Sequence, residues 1–364
     1  MVCVSKRFFA LLLAALMLMG CAALAEGDSS ALFNQGVEAY NAGDYAAAAE
    51  YFAQAAELGN VAAQYNLAVF YKYGDGVEQS YEKAAEYYEM AASQGDAEAQ
   101  FALGLFYYNG QGVEQSYEKA YEYFLAASEQ DHAKALFNLG IMYYNGESVE
   151  QSYEQAAAYF DRAADLGDAT SLDILHDMYQ FGTGVEQSYE TAAEYARRAA
   201  ELGDVTAQYN LGLAYEKGEG VEQSYEKAME YYRLAAEQGA SFAQYSLGSL
   251  YYNARGVEQS YEEAVRWFEP AAEQGSADAQ YALGLMHENG EGVEQSFEKA
   301  AEYYAMAAEQ DHANALWRLC ILYQNGTGVE QSDETALEYA RRAAELGNEN
   351  AAAWVEASEV LFGK

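Results

Sequence analysis

The chain contains almost no proline and no set of cysteines that could form a disulfide framework. Its one proline is Pro270, and this scarcity favours a protein built from helices, which proline interrupts. Its three cysteines are Cys3, Cys21 and Cys320, and the first two lie in an N-terminal segment described below. Cys320 is left without a partner, which excludes a fold held together by disulfide bonds.

Basic residues are also scarce. The 364 residues include 19 Lys and Arg against 58 Asp and Glu, so the net charge is -39. Nucleic acids bind proteins largely through Lys and Arg that neutralise phosphates, and this balance argues against nucleic-acid partners. It also argues against docking on anionic lipid head groups. It favours solubility and partners with basic or neutral surfaces.

The first 25 residues have the character of an export signal. Two basic residues precede the apolar run Phe8–Met19, which is too short for a typical transmembrane span. The string LMGC at Leu18–Cys21 resembles a bacterial lipobox and makes Cys21 a candidate for lipidation, whereas ALA at Ala23–Ala25 fits ordinary signal-peptide cleavage. Both alternatives predict an exported protein: a periplasmic, outer-membrane or cell-surface lipoprotein, or a secreted chain. Membrane contact is expected only through an N-terminal lipid anchor.

The string VEQS returns every 36 residues through most of the chain, without an insertion or deletion. Its copies begin at Val77, Val113, Val149, Val185, Val221, Val257, Val293 and Val329. A fixed period in this range is typical of solenoids and other repeat arrays. We therefore divide residues 60–347 into eight repeats, numbered from Asn60.

Each repeat holds two segments with helical periodicity. In the first repeat, Ala63, Leu67 and Tyr71 recur on one face at i, i+4 and i+8. A second apolar stripe runs from Ala84 to Ala91. This spacing predicts an amphipathic helix A, a loop with glycines, a helix B and a short turn into the next repeat. Strand alternation is absent from the sequence, so we expect an all-α fold.

The segment AQYNLGLAYEKGEGVEQSYEKAMEYYRLAAEQG, Ala207–Gly239, resembles the Sel-one-like repeat (SLR) family, a relative of the tetratricopeptide repeat. The shared residues are Ala207, Tyr209, Leu211, Gly212, Tyr215, Gly218, Gly220, Val221, Lys227, Ala228, Tyr231, Ala235, Ala236 and Gly239. The family usually has aspartate where this chain has the serine of VEQS. The resemblance implies a right-handed α/α superhelical solenoid of helix–loop–helix repeats. Residues 31–59 resemble a tetratricopeptide unit that serves as an N-terminal cap, and residues 348–364 resemble a C-terminal capping helix.

We use the name loop phrase for the loop that contains VEQS, Gly74–Ser80 in the first repeat and its counterparts in the others. It has an ordinary structural explanation. Ser80 precedes helix B and can accept hydrogen bonds from its first N–H groups. Gly74 and Gly76 supply loop conformations that side chains resist, and Val77 can tuck beneath the loop. The functional alternative is that Glu78 and its seven counterparts form an acidic ladder for cations or a basic partner.

Helix A lines the concave surface in tetratricopeptide-like solenoids, so the resemblance implies which of its residues face a partner. In the first repeat these positions are Tyr65, Val69 and Lys72. The candidate binding residues of the array are Tyr65, Val69, Phe101, Leu105, Tyr108, Phe137, Ile141, Tyr144, Asp173, Asp177, Tyr209, Tyr245, Tyr252, Tyr281 and Trp317. An aromatic-rich groove of this kind suits an extended or helical peptide. The alternative is that a tightly wound superhelix buries these aromatics against one another.

The fourth repeat departs from this pattern in helix A. Asp173, His176 and Asp177 stand at i, i+3 and i+4, where other repeats mostly have an aromatic, a small and an aliphatic residue. One interpretation is a polar contact or a weak metal site, although one helix with D-x-x-H-D supplies no second pair of ligands. The other is a local repacking. In the eighth repeat Cys320 replaces the small residue, and we interpret it as packed rather than reactive.

No motif in the sequence indicates catalysis. Walker loops and the patterns H-E-x-x-H, G-x-S-x-G and Cys–His are absent, and paired carboxylates carry no information in so acidic a chain. We therefore expect no catalytic residue, cofactor or metal. The leading hypothesis is a non-enzymatic scaffold or adaptor at a bacterial envelope that binds a partner protein or peptide on its concave helix-A surface. The alternatives are an envelope hydrolase or binder of cell-wall fragments, and a structural spacer.

Overall fold

The computed structural model describes residues 27–362, and the two candidate processing sites at Cys21 and Ala25 lie outside them. The described chain consists of helices joined by short turns and loops, without a strand. None of the described helices is both long and apolar enough to cross a membrane. The prediction of an all-α helical-repeat solenoid is confirmed.

The helices follow the predicted order. Two precede the first repeat: α1 covers residues 27–41 and α2 covers Tyr45–Glu57. The A helices are α3 (Val61–Tyr73), α5 (Ala97–Asn109), α7 (Ala133–Asn145), α9 (Ala169–Phe181), α11 (Val205–Lys217), α13 (Ser241–Tyr252), α15 (Ala277–Asn289) and α17 (Ala313–Asn325). The B helices are α4 (Tyr81–Ser93), α6 (Tyr117–Ser128), α8 (Tyr153–Asp165), α10 (Tyr189–Glu201), α12 (Tyr225–Glu237), α14 (Tyr261–Glu273), α16 (Phe297–Glu309) and α18 (Asp333–Glu345). The last helix, α19, covers Glu349–Phe362. The capping role of α1, α2 and α19 stays a prediction.

The chain forms two compact units. Among the described residues, one unit contains residues 27–178 together with Thr183–Glu186, and the other contains Tyr179–Gly182 together with residues 187–362. Within each unit, a helix packs mainly on the helices that precede and follow it in the sequence. Packing between nearest neighbours is characteristic of repeat proteins.

Three positions hold the same residue in every repeat because they form the buried contact between helices. In the first repeat they are Leu67, Ala84 and Ala91, and all of their counterparts are at most 1% exposed. Small side chains at a crossing allow two helices to approach closely. The invariant alanines are therefore explained by packing.

A glycine in helix A makes room for an aromatic ring of helix B. A Cβ atom added at Gly104 would lie 2.6 Å from the ring of Phe124. In the eighth repeat the ring is absent: Ala340 stands at its position, and Cys320 fills the space beside it in a buried cluster. The interpretation of Cys320 as a packed side chain is confirmed, and burial raises the pKa of its thiol to about 11.

The serine and the glutamine of the loop phrase make local hydrogen bonds. Ser80 Oγ accepts a hydrogen bond from the backbone N–H of Lys83, and the corresponding serine caps helix B in all eight repeats. The predicted serine cap is confirmed. The role of the glutamine was not predicted: its Nε2 donates to a carbonyl in the last turn of helix A at 2.8–2.9 Å in every repeat, as Gln79 does to Lys72. Glu78 and its counterparts are exposed, and their service as a ladder stays a prediction.

Two alternative sets of side chains link helix A to the preceding repeat. In five repeats a glutamine of helix A donates to a helix-B carbonyl of the preceding segment, as Gln100 Nε2 does to Ala92 O at 3.3 Å. A second glutamine then donates to the first, as Gln130 does to Gln100 at 2.9 Å. In the third and eighth repeats leucine replaces the first glutamine and an arginine reaches the corresponding carbonyl, as Arg162 Nη2 does to Ser128 O at 3.2 Å.

Candidate functional site: the helix-A row

We use the name helix-A row for the predicted binding positions on the A helices. Six aromatic residues of this row each pack against an aromatic ring of helix B in the same repeat, with ring centroids 5.5–5.8 Å apart. The pairs are Tyr65–Tyr88, Phe101–Phe124, Phe137–Phe160, Tyr209–Tyr232, Tyr245–Phe268 and Tyr281–Tyr304. The row members of these pairs are half-buried. Each ring is thus held from beneath by its own repeat and keeps part of its surface accessible.

Other members of the row are also half-buried. These are the aliphatic residues Val69, Leu105 and Ile141, together with Trp317, which packs on the cluster around Cys320. The hydroxyl of Tyr108 donates to Glu147 Oε2 at 2.7 Å, and burial together with this bond raises the pKa of Tyr108 to about 12.

The later row tyrosines repeat this arrangement in part. The hydroxyl of Tyr252 donates to Glu291 Oε2 at 2.9 Å, and its pKa is likewise raised to about 12, chiefly by burial. Tyr144 packs edge-on against Tyr153 with centroids 4.9 Å apart. In these three repeats the third row position, which Lys72 occupies in the first repeat, therefore contacts a neighbouring loop or helix start.

Two carboxylates of the row escaped the sequence-based prediction. Glu216 Oε2 accepts from the buried hydroxyl of Tyr232 at 2.7 Å, and its Oε1 lies 3.3 Å from Arg255 Nη1. Glu288 does the same with Tyr304 at 2.6 Å and Arg318 at 3.2 Å. The sequence does contain a signal for these bonds. Helix B carries a tyrosine in the repeats whose third row position is Lys or Glu, and a phenylalanine in those whose third row position is tyrosine.

Two histidines border the row as helix caps. His132 Nδ1 accepts from the backbone N–H of Ala135 at 3.1 Å, while its Nε2 lies 3.4 Å from Glu98 Oε1. Its ring stacks on Phe101 with centroids 4.6 Å apart. His312 makes the corresponding cap with Ala315, pairs with Asp278 and stacks on Tyr281. Both histidines therefore serve as N-caps of A helices.

The fourth repeat places its polar residues on α9. Asp173 and His176 are half-buried and each has an interaction partner, whereas Asp177 is exposed. Ser171 replaces an alanine of the other repeats, and its hydroxyl is buried without a hydrogen bond. Within residues 27–362, no three His, Cys, Asp or Glu side chains are grouped as metal ligands. The polar-contact interpretation of α9 and the local repacking both stay predictions.

Comparison with known proteins assigns the family. The Sel1 repeat model matches residues 61–96, 97–132, 133–168, 177–204, 205–239, 241–276, 277–312 and 313–348, and a tetratricopeptide repeat model matches residues 33–71. No curated protein matches the chain.

Two solved structures are similar over most of their length. One is a protective antigen with an SLR fold from uropathogenic Escherichia coli, with 29% identity, a TM-score of 0.75, and coverage of 92% of this chain and 80% of that one. The other is a Sel1 repeat protein from Oxalobacter formigenes, with 29% identity, a TM-score of 0.66, and coverage of 85% and 89%. Proteins with this fold are typically protein–protein interaction scaffolds and generally not catalysts. The repeat matches confirm the predicted resemblance, and the chain belongs to the Sel1 repeat family.

Proposed function

We propose that the protein is a non-enzymatic scaffold at a bacterial cell envelope that binds a partner protein or peptide on the helix-A row. One observation carries this proposal: the row presents half-buried aromatic residues that differ from repeat to repeat. The string VEQS, by contrast, is the same in each repeat, and its serine and glutamine are bonded locally.

The packing of the row suits recognition. A ring such as Tyr65 or Tyr209 rests on a second ring of its own repeat, so little side-chain freedom remains to be lost when a partner binds. Tyr209 also meets Phe242 edge-on with centroids 4.6 Å apart, and Phe242 is 42% exposed. Rigid aromatic side chains with accessible surface are common energetic centres of protein interfaces.

The envelope location is supported by two observations. Residues 1–25 carry the sequence features of an export signal. The similar structure from uropathogenic Escherichia coli is of a protective antigen, a description that fits a protein exposed to the immune system of a host. Fractionation of cells expressing the whole chain tests this location, and Cys21→Ala separates the two processing sites. Release from the membrane fraction on this substitution is expected for a lipid anchor and excludes the Ala25 site.

Site-specific photocrosslinking tests the binding surface. We would place the aromatic crosslinker p-benzoylphenylalanine at Tyr65, Tyr209 or Tyr281 in the full chain. The matched controls are Tyr87 and Tyr123, which are half-buried aromatics of helix B stacked on tyrosines outside the helix-A row. We expect partner adducts from the helix-A row only. Adducts from the controls alone would contradict the proposed surface, and no adduct at any row position would favour a spacer.

A further inference from the structure

A surface pocket lies between α10, α11 and the loop that leads to α12. Its volume is about 380 Å³, within the range of ligand-binding pockets. Ala193, Leu211 and Val221 supply apolar lining, and Tyr215 contributes the phenol ring of one side. None of these residues belongs to the helix-A row, so the pocket is distinct from the proposed partner surface.

The aromatic side of the pocket is fixed in position. The ring of Tyr215 stacks on Tyr231 with centroids 5.7 Å apart and planes 3° from parallel. The ammonium group of Lys227 lies over the Tyr215 ring, 4.8 Å from its centroid. A ring that stacks on another ring and contacts a cation has little freedom to turn into the pocket and close it.

The second and third repeats show which side chain the corresponding pocket can hold. Tyr121 of α6 stands at the repeat position of Ala193, and Tyr143 of α7 stands at the position of Tyr215. The hydroxyls of Tyr121 and Tyr143 are 3.1 Å apart, and their rings meet edge-on with centroids 6.1 Å apart. The second repeat thus places a tyrosine side chain where the fourth repeat has only a methyl group.

A third pair of repeats fills the same position differently. Met229 of α12 also corresponds to Ala193, and it is 9% exposed in a buried cluster against which Tyr251 packs. Tyr251 is the counterpart of Tyr215. A large side chain at this position is therefore compatible with the repeat, whereas Ala193, like the alanines of the first, third and seventh repeats, places only a methyl group there.

We propose that this pocket binds a tyrosine side chain of a partner protein, in the manner in which Tyr121 packs on Tyr143. Val221 would contact the ring, and the hydroxyl would exchange a hydrogen bond with Tyr215 Oη. The rim carries Glu190 and Glu194, of which Glu194 is paired with Arg197. A net negative rim favours a basic residue beside the tyrosine.

Ligand-observed NMR with the full chain tests the pocket chemistry. The probes are N-acetyl-tyrosinamide and N-acetyl-phenylalaninamide, compared in saturation-transfer titrations. We expect the tyrosine probe to bind about fivefold more tightly, the value of one neutral hydrogen bond. Ala193→Tyr reproduces the second repeat, so it should fold and fill the pocket, weakening the tyrosine probe by at least about tenfold. Ala158→Tyr adds a tyrosine at an exposed position of α8 and should change nothing.

Two outcomes would overturn the pocket assignment: equal binding of the two probes, or unchanged binding to Ala193→Tyr. Circular dichroism and thermal unfolding establish that each variant is folded. If Ala193→Tyr fails to fold, Tyr215→Phe decides instead, because it keeps the ring and removes the hydroxyl. This variant should abolish the preference for the tyrosine probe, and a preference that persists would contradict the hydrogen bond.

A peptide selection tests the nature of the partner. Random peptides displayed on phage would be selected on the full chain and counter-selected on Ala193→Tyr. We expect enriched peptides to contain tyrosine next to Lys or Arg. Enriched peptides without tyrosine, or tyrosine-probe binding without any enriched peptide, would overturn the assignment to a protein side chain. The helix-A row is untouched by these variants, so the scaffold proposal stands or fails separately.

Discussion

The loop phrase and the helix-A row differ in what their side chains do. In the loop, Ser80 and Gln79 bond to the chain around them, and Gly76 leaves no room for a side chain. In the row, Tyr65 is held by a ring beneath it and keeps part of its surface accessible. Repetition therefore marks residues that each repeat needs for folding. Variation marks positions that packing leaves available to a partner.

The largest loss of stability is expected from a substitution at the loop glycine that contacts the start of the preceding helix B. Gly220 has φ +73°, and a Cβ atom there would lie 2.0 Å from the carbonyl oxygen of Tyr189. We expect Gly220→Ala to lower the free energy of unfolding by about 3 kcal/mol, since it adds overpacking to backbone strain. Urea denaturation measures the loss.

Gly239→Ala is the matched control for this substitution. Gly239 has φ +92°, but nothing lies within 4 Å of an added Cβ atom. Its cost should be that of strain without a clash, about 1 kcal/mol. Equal losses in the two variants would show that the contact with Tyr189 is unimportant, and the loop would then be less tied to its neighbour than the comparison requires.

A smaller effect is expected from the two kinds of repeat linkage. Gln280 Nε2 donates to Ala272 O at 3.0 Å, and Gln280 Oε1 accepts from Gln310 Nε2 at 2.9 Å. Gln280→Leu should cost about 1–2 kcal/mol, because it removes one hydrogen bond and leaves the Gln310 amide without its partner. Adding Gln310→Leu and Met306→Arg introduces the carbonyl bond of the eighth repeat, where Arg342 bonds to Ala308 O, without its ion pair to Asp311, because Gly275 stands at that position.

The triple variant should recover most of the stability in urea denaturation. Met306→Arg by itself is the control, because an arginine added at an exposed position should be nearly neutral. If the triple variant is no more stable than Gln280→Leu, the two linkages are not interchangeable. The difference between repeats would then depend on more than this pair of side chains.

The fold was predictable because its causes repeat. Eight copies of one spacing define the helices, and positions such as Ala84 and Leu67 stay the same because a larger or polar group would separate the helices. Ser80 was predictable as a cap because an N-cap bond is local in sequence. Gln79 was not, because its acceptor lies seven residues back across the loop.

The candidate site was predictable only in outline. The i, i+4, i+7 spacing selects one face of helix A, but the carboxylates of Glu216 and Glu288 were missed because their partners are buried helix-B tyrosines. The pocket beside Tyr215 was missed for a related reason. The residue at the position of Ala193 varies among the repeats. The sequence does not show that Ala193 and its counterpart Tyr121 each face a tyrosine of the following helix A.

Alkaline pH should lower the stability of the folded chain through two tyrosines of the helix-A row. The pKa values of Tyr108 and Tyr252 are raised to about 12 in the folded chain, against about 10 for an unfolded tyrosine. The folded state therefore holds these protons more tightly, and stability present below pH ~10 is lost as the pH rises toward the folded values. Urea midpoints should fall over this range, and less in Tyr108→Phe with Tyr252→Phe. An identical fall in the double variant would contradict a role for these two residues.

The smallest effect on stability is expected from a substitution of Ser148, which stands at the position of Gly76 in the loop phrase. Ser148 adopts φ +65° in the third repeat, where the other repeats have glycine. Ser148→Gly should raise the free energy of unfolding by about 0.5–1 kcal/mol, because the relief of left-handed strain exceeds the added freedom of the unfolded chain. Ser116→Gly is the control: this serine has φ -151° and caps α6, so the change should cost a few tenths of a kcal/mol. Thermal unfolding compares the two. A loss of stability in Ser148→Gly would mean that this serine is retained for a contact that the other loops lack, and the contrast between a structural loop and a variable helix would then fail in the third repeat.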